Sequence, residues 1–123
     1  MPSVDEHQEK YLHNKKLLSS DVFSKGEEFA DWHVTILFYE AVHLIERELA
    51  KQLPLPFHSK DHTVRIGWVT RTTALNSICK AYVTIYIQSR RARYDCVKFT
   101  KQDIINLEKQ FTMIEDHLNQ MPA

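Results

Sequence analysis

The chain has 123 residues, enough for one domain with a single core. It is 43% hydrophobic and 26% charged, with two glycines and four prolines, too few turn-formers for a sandwich or barrel. Its formal net charge is zero, so bulk charge points neither to nucleic acid nor to a membrane.

The charge is unevenly distributed. Residues 1–57 carry six Lys/Arg against ten Asp/Glu, residues 58–101 nine against two, and residues 102–123 one against four. The middle third is therefore basic, with a balance of +7. Such a zone either pairs with the acidic ends or offers an anion-binding face. Cys79 and Cys96 do not make a disulfide framework, and Cys79 reads as a small core residue. The polar, acidic N-terminus shows no signal peptide, and no apolar run approaches the ~20 residues of a membrane span. A cytoplasmic protein is expected.

Taken in order, Ser3-Val4-Asp5-Glu6 fits a capping box, opening a helix that runs to about Ser19. Its apolar positions, Val4, Tyr11, Leu12 and Leu18, are sparse, so one side alone should be buried. Ser24-Lys25-Gly26-Glu27 reads as a second capping box, opening a long helix to about Gln52. Its apolar residues Phe29, Trp32, Ile36, Leu37, Phe38, Tyr39, Val42, Leu44, Ile45 and Leu49 cover most of its circumference. Such a helix is central, enclosed by its neighbours. Leu53-Pro54-Leu55-Pro56 stops it.

Phe57 to Arg71 is ambiguous. It can hold a short helix from about Lys60, with Val64, Trp68 and Val69 turned inward and Gly67 weakening it. Thr73 is the expected cap of the next helix, which runs to about Arg93. Leu75, Ile78, Cys79, Tyr82, Ile85 and Tyr86 recur there at helical spacing, although Val83–Ile87 alone would suit a strand. After a loop from Tyr94 to Phe99, Thr100 caps the last helix, with Asp103 near its positive end. Ile104, Leu107, Phe111, Ile114 and Leu118 form its stripe, and it ends near Asn119, before Pro122. The fold expected is all-α: one antiparallel bundle of four to five helices spanning residues 1–123.

Three groups of residues could carry chemistry. His33, Glu40, His43 and Arg47 lie within an arc of about 80° on the central helix. Glu40 and His43 make a Glu-x-x-His step, as in carboxylate-bridged dimetal bundles. No second such step exists, so neither metal nor other cofactor is expected. The two side chains should instead be hydrogen-bonded to each other or to a neighbouring helix. His58, His62 and Arg65 form a second group, where a histidine beside an arginine could position a phosphate and exchange a proton. The third is Ser89-Arg90-Arg91-Ala92-Arg93-Tyr94. Three arginines at a helix C-terminus complement the helix dipole, or act as a phosphate fork with Tyr94 stacking on a base.

Two of these segments together resemble the HEPN family (higher eukaryotes and prokaryotes nucleotide-binding domain). Phe38 to Ala50, FYEAVHLIERELA, is similar to that family's aromatic-Tyr-x-Ala-x-His/Phe signature, and His62 falls where a family histidine follows the loop. Arg90 to Asp95, followed by Thr100 to Asp103, is similar to its Arg-x-x-Ala-Asp-Tyr element and capped last helix. The resemblance covers about residues 24–119. It implies a compact helical bundle, commonly a homodimer. Members include RNA-cutting toxins, nucleotide binders and partners of a small nucleotidyltransferase; an antitoxin is the other partner class.

Ribonuclease members carry an arginine followed within four to six residues by a histidine. No histidine follows Arg90, Arg91 or Arg93 within six residues, Ser89 stands at the usual arginine, and Arg93 replaces the Asp. Tyr94 in the histidine's place, with an ordinary pKa near 10, is a poor general base. The resemblance therefore implies RNA or nucleotide-phosphate binding through Arg65, Arg90, Arg91, Arg93 and Tyr94 without catalysis. The alternatives are a metal-independent endoribonuclease, with catalytic candidates Arg90, Tyr94, His62 and His43, or a purely structural interaction module.

Overall fold

The computed structural model describes residues 2–24, 26–52 and 58–121. Every regular element among them is helical: α1 (Val4–Leu18), α2 (Asp21–Ser24), α3 (Ala30–Gln52), α4 (His62–Arg71), α5 (Cys79–Tyr94) and α6 (Lys101–Asn119), with a 3-10 turn at Asn76–Ile78 leading into α5. The expected all-α bundle is present: four long helices, a short one, and an extra single turn, α2.

Helix α3 is the centre. It packs on α1, α5 and α6, and Val34, Phe38, Ala41, Leu44, Ile45 and Leu49 are fully enclosed. Its beginning departs from expectation. Phe29, just before the helix, and Trp32 are 43% and 57% exposed, while Ala30 and Val34 on the other side of the same turn are buried. The Ser24–Glu27 box does not form. Gly26 takes φ +77°, a left-handed conformation suited to glycine, and turns the chain between α2 and α3. Ser24 Oγ donates back to Asp21 O. The Glu27 carboxylate accepts the Lys101 N–H instead, serving the first turn of α6.

The outer helices follow their local signals. Ser3 and Glu6 form the predicted reciprocal cap of α1, which buries only His7 and Tyr11; Leu12 is half-exposed. The ambiguous segment is helical, because Asp61 Oδ1 accepts the Val64 N–H at 2.8 Å and caps α4. Val69 is buried, while Val64 and Trp68 are half-buried. Thr73 caps nothing. The turn is built on the Thr72 carbonyl, which accepts from Leu75 and Asn76, and the 3-10 turn then feeds α5 without a side-chain cap. Leu75, Ile78, Tyr82 and Ile85 are buried as their spacing predicts, while Cys79 and Tyr86 are half-buried. Thr100 and Asp103 cap α6 reciprocally, and Leu107, Phe111, Ile114 and Leu118 seal it against the core. The expected stop at Leu53-Pro54-Leu55-Pro56, and Pro122, lie outside the described residues. Among the described residues, no helix is long and apolar enough to cross a membrane.

Candidate functional site

The four polar residues of α3 go to four different places. His33 Nε2 meets Glu108 Oε1 on α6 at 2.8 Å. The Arg47 guanidinium knits three helices together, donating to Gln8 Oε1 on α1 at 2.6 Å, to Asn119 Oδ1 and the Leu118 carbonyl at the end of α6, and to the buried neighbour Glu48. His43 Nδ1 faces His7 Nδ1 on α1 at 3.0 Å, so one of the two donates to the other. Burial, with His7 next, holds His43 down at about 4. Glu40 is buried, and its Oε1 meets no partner among the described residues. Burial above all, then the nearby Glu108 and Glu115 carboxylates, pushes Glu40 up to about 8. Of the expected pair, His43 is thus bonded to a neighbouring helix and Glu40 is not bonded to His43.

One turn further along α3, Glu46 is fully buried and organises the second group. Its Oε1 accepts Arg65 Nε at 2.6 Å. Its Oε2 accepts the Ser59 backbone N–H at 3.0 Å and lies 3.7 Å from His58 Nδ1. Arg65 is itself buried, so its guanidinium serves Glu46 and not an open surface. Arg65 Nη1 also reaches His62 Nδ1 at 2.8 Å. Arginine only donates, so His62 Nδ1 accepts and the neutral ring carries its proton on Nε2. Burial, then the positive charges of Arg65, Arg93 and Arg90, lowers the His62 pKa and keeps the ring neutral.

The His62 ring continues into an aromatic cluster. Phe38, His62 and Tyr86, from α3, α4 and α5, have ring centroids 5.2–5.6 Å apart. Arg90 and Arg93 flank it. Arg90 lies over the Tyr86 ring and donates to its hydroxyl at 3.2 Å. Arg93 lies over Phe38 at 5.6 Å, donates to Tyr39 Oη at 3.1 Å and to the Ser89 carbonyl, and reaches the Tyr94 ring. Tyr94 is 69% exposed. The ion pairs formed among the described residues use neither Arg90, Arg91 nor Arg93. The basic middle zone is therefore not neutralised at this corner. No protein-family model, curated protein or solved structure matches the chain. The HEPN resemblance rests on the residues themselves.

The structure thus gathers His62, Arg90, Arg93 and Tyr94 at one corner. It does not bring Arg91 there: Arg91 donates to Gln88 and lines a groove between α5 and α6 with Lys98 and Asn106. Arg65 stands behind the corner as a support for His62, and His43 lies in a separate buried cluster with His7. Sequence reasoning missed Tyr39 and Tyr86, the partners of Arg93 and Arg90, and it missed Glu46 and His7. The four-residue step from Tyr86 to Arg90 was a readable signal; the Tyr39–Arg93 bond, 54 positions apart, had none.

Proposed function

We propose that this chain is a HEPN-like module that binds RNA or a nucleotide phosphate at the corner formed by His62, Arg90, Arg93 and Tyr94. One observation carries the reading: two guanidiniums without carboxylate partners among the described residues flank a histidine whose tautomer is fixed by Arg65. Guanidinium groups bind phosphate by charge-assisted hydrogen bonds, and the His62 Nε2–H adds a neutral donor. Tyr94 is exposed enough to stack on a base. Arg91 adds charge on the adjacent face.

The same tautomer speaks against catalysis. A general base needs a free lone pair, and the His62 lone pair is taken by Arg65. The module is therefore a binder, with the metal-independent endoribonuclease as the alternative. Expected results are binding of single-stranded RNA at low salt that weakens as salt rises, and RNA left intact in the presence of chelator. The double variant Arg90→Ala with Arg93→Ala should weaken binding at least about tenfold. It should also flatten the logarithmic salt dependence by roughly 0.7 per lost phosphate contact. Unchanged binding in the double variant would sink the reading, and cleaved RNA would move it to the nuclease.

The proposal includes homodimerisation in the cytoplasm. The exposed Phe29 and Trp32 at the start of α3 support an apolar contact between copies. Solution mass should be twice the chain mass of 14.5 kDa. A monomer that instead binds an antitoxin or nucleotidyltransferase would favour the heteromeric form of the same module.

A further inference from the structure

We propose that His7 Nε2, His58 Nδ1 and Glu46 Oε2 form a binding site for one zinc-type divalent cation, independent of the arginine corner. The three ligand atoms come from α1, from the segment just before α4, and from α3. They all lie within 4.8 Å of one another. Zinc–nitrogen bonds of about 2.0–2.1 Å in a tetrahedral shell put ligand atoms about 3.3–3.4 Å apart. His7 Nε2 and His58 Nδ1 are 3.4 Å apart, and His58 Nδ1 and Glu46 Oε2 are 3.7 Å apart. Small side-chain adjustments therefore close the shell. The two imidazole planes are parallel within 7°, so the adjustment required is a rotation of His58, the most exposed ligand at 31%.

The outer partners are those a bound metal needs. A ligating histidine normally donates its second N–H to a fixed acceptor, and His7 has His43 Nδ1 at 3.0 Å from its own Nδ1. A ligating carboxylate is held by its own hydrogen bonds, and Glu46 has Arg65 on Oε1 and the Ser59 N–H on Oε2. Oε2 has a second lone pair left for the ion. The donor set of two imidazoles and one carboxylate selects zinc, cobalt or nickel over calcium and magnesium, which take mainly oxygen. Three protein ligands leave a fourth position, on the solvent side where His58 emerges, for water or an exchangeable ligand. The Glu40–His43 step, the metal pattern visible along the sequence, supplies no ligand; His43 serves as the outer acceptor for His7.

The test loads chelator-stripped protein with zinc or cobalt and removes excess metal by gel filtration. One zinc per chain is expected to be retained. The cobalt form should show the intense visible bands of a four-coordinate ion, and zinc should raise Tm. His58→Ala, at the partly exposed ligand, should abolish retention, the bands and the Tm rise while the chain stays helical by circular dichroism. His13→Ala, at a histidine outside the cluster, should leave all three unchanged. A stripped chain that retains no zinc overturns the proposal. So does retention that survives both His58→Ala and His7→Asn, which would place the metal on other histidines.

Discussion

Replacing Arg65 with alanine is expected to destabilise the protein by about 3–5 kcal/mol, read from urea unfolding at neutral pH. Arg65 is 4% exposed and Glu46 is fully enclosed, with 2.6 Å between Nε and Oε1. Removing one partner leaves the other charge buried with little to balance it. Glu46→Ala should cost a similar amount, and the double variant less than the two together, because neither charge is then stranded. Arg90→Ala is the contrast. Arg90 is exposed and has no carboxylate partner among the described residues, so its loss should leave stability nearly unchanged. If Arg65→Ala proved as mild as Arg90→Ala, the buried pair would not be holding α4 onto α3. Phosphate binding should also weaken in Arg65→Ala, because the bond that fixes the His62 tautomer is gone.

That contrast between two arginines of one basic zone shows what the sequence made legible and what it concealed. Helical spacing identified the enclosed helix, the stripe of α6 and the buried face of α5, since these depend on local periodicity. Capping was legible where a box stood alone, at Ser3 and Thr100. It misled at Ser24, where Gly26 bends the chain and Glu27 is drawn to Lys101, 74 positions away. Arg65 and Arg93 look alike in composition, yet one is enclosed against Glu46 and the other lies over Phe38 and Tyr94. That difference is set by which helix faces which. It depends on packing among α3, α4 and α5, and no short spacing encodes it. Glu46 was hidden for the same reason. On α3 it looks like a charge breaking an apolar run, and only the arrival of Ser59 and Arg65 makes it an acceptor of two converging donors, with His58 Nδ1 3.7 Å away.

Glu40 gives the second large effect, through pH. The Glu40 carboxyl has an ordinary value of 4.5 and is pushed up to about 8 by burial beside Glu108 and Glu115, with Lys15 opposing. Glu108 is met by His33, while Glu115 is held by Tyr11 and Lys15, so the groups facing Glu40 are already committed. Between about 4.5 and 8 the folded protein keeps a proton that the unfolded chain has released. Stability therefore falls as pH rises through that window and levels off above it, for a penalty of at most about 5 kcal/mol.

His43 works in the opposite direction. Lowered from 6.5 to about 4, it penalises the folded state as pH falls through that interval, and the lowered His7 adds to this. Between about 4.5 and 6.5 the Glu40 slope opposes those of His43 and His7, so stability should not decline with rising pH there. Above about 6.5 only the Glu40 slope remains, so stability should decline toward pH 8. Glu40→Gln keeps the shape of the protonated acid and cannot ionise. It should match the parent near pH 5, exceed it by a few kcal/mol at pH 9, and remove the decline. A parent whose stability is level from pH 6.5 to 9, or a Gln variant that tracks it there, would mean that the Glu40 charge is solvated in the folded chain. The cavity beside Lys15, Phe111 and Glu115 would then have to admit the water that solvates it.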